Sequence, residues 1–157
     1  MSNILKNKEY TSIVKDILDN ENFKMMDTIN HHGTTRMKHC IRVSYYSYKV
    51  GKKLKLHTKE LARAGLLHDY FMSYPDRTKL ERFLSTFIHP KYAVINAERD
   101  FEINKMEHNI IRAHMFPVNP ALPIYLESWL VSTVDKVVGL VETVRYFLGI
   151  EKKKDSK

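Results

Sequence analysis

The chain has 157 residues, 43% of them apolar, which fits one globular domain with a sizeable core and excludes a wholly disordered protein. It has one cysteine, Cys40, so no internal disulfide can form. The formal net charge of +8 predicts an anionic partner but does not choose between nucleic acid, a nucleotide and a membrane surface. The N-terminus lacks the features of a secretory signal, and no stretch is apolar enough to span a bilayer, so we expect a cytoplasmic protein.

The hydrophobic period is helical from the first element onward. Apolar positions predict a short amphipathic helix over 10–18 and a longer helix over 35–54. The spacing i, i+4, i+7, i+11 indicates one shared face on the longer helix, formed by His39, Val43, Tyr46 and Val50. A third helix is predicted over 59–69, with Thr58 as its N-cap.

Three further signals mark helices in the second half of the chain. The pair His89-Pro90 predicts the start of a helix, because proline is favoured at the first helical position. Asn104 and Glu107 are spaced as a capping box for the next helix. A last helix is predicted over 123–148.

Alternation with a period of two residues is absent, so we expect no sheet. The predicted fold class is all-α, a compact bundle of about six or seven helices. We expect a core domain over 31–150, on which an N-terminal helix and lead-in over 1–30 pack. Residues 151–157 are predicted to form a charged flexible tail.

Three polar residues fall on apolar faces of three different predicted helices: His39, His68 and Asp135. An imidazole or carboxylate is costly to bury there unless a cation, a hydrogen-bond network or a metal satisfies it. Neutral imidazole together with carboxylate is a common ligand set for first-row transition metals. The pattern favours one shared metal site, and a carboxylate paired with Lys or Arg remains the alternative for Asp135.

The ordered set of His39, the adjacent pair His68-Asp69, and Asp135 resembles the H…HD…D signature of the HD superfamily of metal-dependent phosphohydrolases. The segment ARAGLLHD is similar to the A-x-L-L-H-D helix of that family. The resemblance covers about residues 30–148 and implies an HD-domain helical bundle in which these four residues bind a divalent metal. It also implies that His68 and Asp69 are catalytic.

His89 and His114 lie between the HD pair and the last aspartate. They resemble the extra histidines of dinuclear members, such as symmetrical dinucleoside-polyphosphate hydrolases and cyclic-dinucleotide phosphodiesterases. The resemblance implies that they bind a second ion and that Asp69 bridges the two. Two divalent ions can share a hydroxide as nucleophile, and Fe, Mn, Zn, Ni and Co all suit such ligands.

The sequence departs from the family at Met72, because many members have a lysine three residues after the HD aspartate. Either another cation contacts the phosphate or the substrate differs. Arg36 is our first choice for this catalytic role, because it lies one turn before His39 on the same side of the helix. Lys91 is a weaker choice, whereas Lys136 is expected to face away from the site. The neighbouring His31 and His32 are expected to be solvated or on the substrate side rather than ligands.

The resemblance implies hydrolysis of a phosphoester or phosphoanhydride in a small nucleotide-like anion. Two alternatives remain: a degenerate HD fold that binds nucleic acid or protein through its basic surface, and a metal-dependent oxygenase. The intact set of six ligands favours the enzyme. Between Asp27 and Glu60 there are eight basic residues and no acidic one, which accounts for the whole net charge. We expect most of this charge to be solvated or to steer the substrate, with nucleic acid as a secondary partner and no membrane partner.

Overall fold

We describe a computed structural model of the chain over residues 3–31, 33–72 and 78–150, without the side chains of 79–86. Within these residues the chain forms eight α-helices: α1 (Lys8–Ile13), α2 (Lys15–Asp19), α3 (Glu21–Met25), α4 (Arg36–Leu54), α5 (Thr58–Leu67), α6 (Lys79–Asp100), α7 (Lys105–Ala113) and α8 (Leu126–Phe147). A 3₁₀ turn over Met26–Thr28 and two short strands, β1 (Asn30–His31) and β2 (Thr34–Thr35), lie between α3 and α4.

The all-α prediction is confirmed, with more helices than the expected six or seven and one small hairpin. Strands β1 and β2 pair antiparallel, with His31 opposite Thr34. Two residues per strand are too few to produce an alternating pattern in the sequence. The hairpin turns at Gly33, whose φ is +81°, and a Cβ there would lie 2.5 Å from Cβ of Tyr146 on α8. Glycine is therefore required both by the backbone and by the neighbouring helix.

The predicted helix over 10–18 is broken into α1 and α2 at Val14, which has φ −110° and ψ 11°. The single continuous helix was therefore a wrong prediction. The buried face was correct, because Tyr10, Val14 and Ile17 are all fully buried. The Tyr10 hydroxyl forms a 2.8 Å hydrogen bond with the Ser44 hydroxyl, which attaches α1 to the core.

Helix α4 lies at the centre, between α5 and α8. Its predicted inward face was partly wrong, because Tyr46 and Val50 are exposed. The buried arc is centred instead on small residues, among them Ser44 and Gly51. A Cβ on Gly65 of α5 would lie 2.7 Å from Cα of Ser44, so the two helices approach too closely there for a large side chain. Close backbone packing therefore contributes, together with the buried Ile41 and Tyr48, to which side of α4 is inward.

Helix α6 runs through Pro90, so the prediction that His89-Pro90 begins a helix was wrong. Proline removes one backbone donor inside the helix. The carbonyl that loses its donor is that of residue 86, four positions before the proline. The next carbonyl, that of Phe87, accepts from the side-chain amide of Asn119, which attaches this turn to the segment after α7. Tertiary packing therefore overrides the local proline signal.

The remaining helix ends follow their capping signals with small shifts. The capping box of Asn104 and Glu107 at the start of α7 is confirmed. Thr58 is the first residue of α5 rather than its cap, and α8 begins three residues after Pro123. No helix in the described part of the chain has the length and apolar character needed to cross a membrane. His32 and the tail over 151–157 lie outside the described residues.

Candidate metal centre

Five helices bring the six predicted ligands together in the interior. The histidines are buried, and the side chains of the two aspartates are at most 14% exposed. His39 lies in the first turn of α4, His68 and Asp69 lie at the end of α5, and His89 lies in the middle of α6. His114 lies at the end of α7, and Asp135 lies in the middle of α8.

The first group of ligands surrounds Asp135. Its Oδ1 atom lies 3.0 Å from Nε2 of His39 and 3.5 Å from Nε2 of His68. One atom from each of these three residues falls within 4.8 Å of the others, so the group could bind a metal ion. This is the mixed imidazole and carboxylate set that transition metals accept.

The second group surrounds Asp69. Its Oδ1 atom lies 3.2 Å from Nε2 of His89 and 3.6 Å from Nε2 of His114, and these two nitrogens are 2.9 Å apart. Asp69 Oδ2 lies 3.6 Å from Nε2 of His31 on the hairpin. His68 can also form a ligand group with Asp69 and His114. Asp69 is therefore in reach of both groups.

The two helix-end histidines are oriented by their own helices. Nδ1–H of His68 donates to the Gly65 carbonyl at 2.8 Å, and Nδ1–H of His114 donates to the Ile111 carbonyl at 2.7 Å. Each carbonyl lies three residues earlier, in the last turn, where carbonyls have lost their helical partners. In the neutral ring this bond fixes the tautomer and leaves the Nε2 lone pair directed at the aspartates.

His39 is oriented by a carboxylate. Nδ1–H of His39 donates to Oε2 of Glu142 at 2.7 Å, and Oε1 of Glu142 accepts from Arg42 at 2.7 Å. A carboxylate behind a metal-binding imidazole holds the ring in place and raises its basicity. Sequence reasoning missed Glu142 in this role, although it lies seven residues after Asp135 on the same face of α8.

The donor set passes a direct test of fit to a cation. Nε2 of His68 is buried and has no hydrogen-bond partner. The atom facing it at 3.5 Å is a carboxylate oxygen of Asp135, which is also electron-rich. An unsatisfied buried nitrogen beside a carboxylate is costly in a protein interior. A divalent ion held by these residues would satisfy both atoms, so the residues fit the metal that the sequence predicts.

Two histidines of the centre with shifted pKa values differ in protonation. Burial lowers the pKa of His39, but hydrogen bonds with Asp135 and Glu142 outweigh it and raise the pKa to about 10, so a metal would have to displace the proton of Nε2. Burial and the nearby His68 and His89 lower the pKa of His114 to about 3, which keeps that ring neutral.

The two aspartates are held ionised. Burial raises their pKa, but the neighbouring histidines outweigh burial and lower the pKa of Asp69 and Asp135 well below the ordinary value of 3.8. Ionised carboxylates are the form that binds metal.

Arg36 lies beside the centre but is engaged by protein groups. Its guanidinium donates to the Phe71 carbonyl at 2.6 Å, and its Cζ atom lies 4.0 Å from the Phe71 ring centroid. The Phe71 ring in turn stacks on His89 at 5.2 Å. This arrangement fixes the segment that follows the HD pair. The proposed contact of Arg36 with phosphate stays a prediction, and Met72, at the position of the family lysine, is 40% exposed.

Two other polar side chains were not anticipated at the centre. Lys136, expected to face away, donates to the His114 carbonyl at 3.0 Å and to the hydroxyl of Ser132. Burial lowers the pKa of this lysine. His31, expected to be solvated or on the substrate side, forms a possible ligand group with His39 and Asp69. Nothing in its local sequence distinguishes His31 from an exposed histidine, because the contact depends on the hairpin.

The comparison with protein families agrees with this geometry. The HD domain family profile matches residues 36–139, which is more than half of the chain and includes all six predicted ligands. No curated protein and no solved structure matches the sequence. Members of the matched family are usually metal-dependent phosphohydrolases. On the extent of this match, the chain belongs to the HD domain family.

Proposed function

We propose that this protein is a metal-dependent phosphohydrolase that uses two divalent ions to cleave a phosphoester or phosphoanhydride in a small nucleotide-like substrate. The observation that carries the proposal is the position of Asp69. Its carboxylate lies within 3.6 Å of the histidines of the second group and borders the first group through His68. A shared carboxylate between two imidazole groups is the arrangement needed to bind a pair of ions.

The protein residues provide binding and orientation. His39, His68 and His114 each have Nδ1–H engaged, so these rings cannot swing away from the centre without breaking a buried hydrogen bond. Bound divalent ions activate water near neutral pH and neutralise phosphate oxygens. No serine or cysteine nucleophile is required, and Cys40 is buried with its pKa raised by burial.

The basic residues around the centre support an anionic substrate, and each of them also bonds a protein group. Arg36 bonds the Phe71 carbonyl, Arg42 bonds Glu142, and Lys136 bonds the His114 carbonyl. These cations hold the site together. The net charge of +8 then acts at longer range, by raising the local concentration of a small anion.

The test measures metal content and hydrolysis together. The protein is stripped of metal, reloaded separately with Mn, Fe, Co, Ni or Zn, and assayed against nucleotides, dinucleoside polyphosphates and cyclic dinucleotides. Asp69→Asn is the test variant. Asp19→Asn is the matched control, because the Asp19 side chain is 64% exposed and pairs with Lys15 on its own helix.

We expect bound metal and hydrolysis in the parent chain and in Asp19→Asn, and loss of both in Asp69→Asn. A chain that takes up no metal under any loading condition contradicts the proposal. Salt-sensitive nucleic-acid binding that is unchanged in Asp69→Asn would favour the basic binding module instead.

A further inference from the structure

Helix α8 is apolar on two opposite sides. Its inner side packs on α4 and α7 and carries Asp135 and Glu142 toward the metal centre. Its outer side has residues spaced alternately by four and three positions. We name these residues the outer seam: Leu126, Leu130, Thr133, Val137, Leu140, Val144 and Phe147.

Most of the outer seam is open to solvent. Leu126 is 70% exposed, Val137 55%, Leu140 65%, Val144 47% and Phe147 80%. Three apolar neighbours widen the seam and are also exposed: Trp129, Val141 and Leu148. A helix that is apolar on both sides is typical of an element buried on both sides, yet the described part of the chain covers only one.

The spacing of the seam specifies what kind of surface would cover it. Alternating steps of four and three residues are the heptad positions at which one helix packs against another along a shallow left-handed crossing. Val137 and Val144 occupy one heptad position, and Leu140 and Phe147 occupy the other. Branched and large apolar residues at these two positions are typical of two-helix packing.

A second copy of the chain meets the requirements of this surface. No seam residue is charged, so two identical seams can face each other without repulsion. The exposed area of the seam side chains, taken together with that of the three flanking side chains, is comparable with the roughly 800 Å² that each partner contributes to a standard interface. Within the chain, the tail over 151–157 reads EKKKDSK and has no apolar residue to cover the seam.

We propose that this protein is a homodimer in which the outer seam of α8 packs against the outer seam of a second copy. The contact is isologous, because the same surface serves both partners. A lipid surface fits less well, because membrane-binding helices have rows of lysine and arginine beside the apolar face. Within α8 the basic residues are Lys136, whose ammonium bonds protein groups, and Arg145, and they do not form such a row.

The test is the molar mass in solution, measured by light scattering and sedimentation velocity across micromolar concentrations. Leu140→Glu is the test variant, and Leu54→Glu is the matched control. Both leucines lie on helices and are similarly exposed, at 65% and 60%, but Leu54 is outside the seam. We expect a two-chain mass for the parent and for Leu54→Glu. For Leu140→Glu we expect the dimer dissociation constant to rise at least about 100-fold, because an unpaired carboxylate would be buried.

Circular dichroism shows whether each variant is folded, and Phe147→Glu provides a second seam variant if Leu140→Glu is not. A parent chain that is monomeric at every concentration overturns the proposal. So does a dimer that persists in a folded seam variant, or a monomer that binds vesicles of anionic phospholipid.

Discussion

The chain buries two clusters of charged and polar side chains, and they differ in how their atoms are paired. The cluster around Arg63 is internally matched. Arg63 donates to both carboxylate oxygens of Asp16 at 2.7 Å and to Oε1 of Glu107 at 3.1 Å. Oε2 of Glu107 accepts from the Asn104 backbone at 2.8 Å. Every donor in these contacts meets an acceptor, so the cluster is complete without a ligand.

The metal centre has the opposite pattern. Imidazole nitrogens and carboxylate oxygens converge, with two Nε2 atoms 2.9 Å apart and Nε2 of His68 without a partner. Arg63 and Glu107 are buried as most groups of the metal centre are, and both clusters are rich in ionisable groups, so burial and charge alone do not separate them. What distinguishes the metal centre from the Arg63 network is that electron-rich nitrogen and oxygen atoms of several side chains converge on one place. Mutations should therefore act differently on the two clusters.

The largest expected effect is on metal binding by His114→Gln. Removal of a metal ligand should weaken metal affinity by more than the roughly 10- to 100-fold that supporting residues cost, and hydrolysis should be lost. The fold should persist, because the variant removes no matched ion pair. The metal content that remains after dialysis measures the loss of metal binding, and thermal unfolding measures whether the fold persists. His108→Gln, at a side chain 46% exposed, is the control, and equal metal content in both variants would contradict the assignment of His114.

For Arg63→Met we expect the opposite result, which is loss of stability with metal binding retained. This variant leaves the buried carboxylate of Glu107 without its cation, which should cost about 3–5 kcal/mol in the free energy of unfolding. Metal content should not change, because the cluster shares no contact with the centre. Urea denaturation checks the first quantity. Lys15→Met is the control, because it breaks an exposed pair with Asp19, and exposed ion pairs contribute little to stability.

A smaller effect is expected for Glu142→Gln, which tests how the centre is held. The glutamine keeps the shape but loses the negative charge that lies between His39 and Arg42. Metal affinity should fall about 10- to 100-fold, measured by competition with a chromophoric chelator. Glu98→Gln, at a side chain 51% exposed, is the control. Unchanged affinity in Glu142→Gln would mean that His39 is oriented without help from this carboxylate.

The ligands and their supports differ in how well the sequence predicts them. The HD family fixes the order and helical context of His39, the His68-Asp69 pair and Asp135, so the sequence could predict these residues, which the structure brings close together. Glu142 could not be assigned, because its role depends on a contact with a residue 103 positions away in the chain. A buried glutamate has the same local signature whether it supports a ligand or pairs with a lysine.

The fold, like the site, could be predicted from the sequence only where it depends on local signals. Amphipathic spacing predicted the helical class, and the capping box at Asn104 predicted one helix start correctly. The spacing failed for α4, where the small residues around Ser44 face α5 more closely than Tyr46 does. The proline signal at Pro90 also failed, because α6 begins at Lys79 and continues through the proline. Local signals predict the elements, and tertiary contacts decide their faces and ends.

The smallest predicted effect concerns Asp100, which is matched like the Arg63 cluster but lies nearer the surface. Its side chain is 11% exposed, bonds Arg99, and accepts from the Tyr70 hydroxyl at 2.6 Å. The Arg99 bonds, with smaller help from Tyr70 and Asn22, lower the pKa of Asp100 below the ordinary value of 3.8. The unfolded chain therefore binds this proton more readily than the folded chain. The stabilisation is complete above the unfolded pKa and is lost as the pH falls toward the folded pKa.

Asp100→Asn should consequently lower the free energy of unfolding by about 1–2 kcal/mol at neutral pH. The difference from the parent should shrink in acid, because the parent loses the same stabilisation by protonation. Urea denaturation at a series of pH values measures both. A difference that is constant across the acid range would show that the asparagine acts through packing rather than charge. Metal content should be unchanged at neutral pH, since Asp100 belongs with the matched networks and not with the centre.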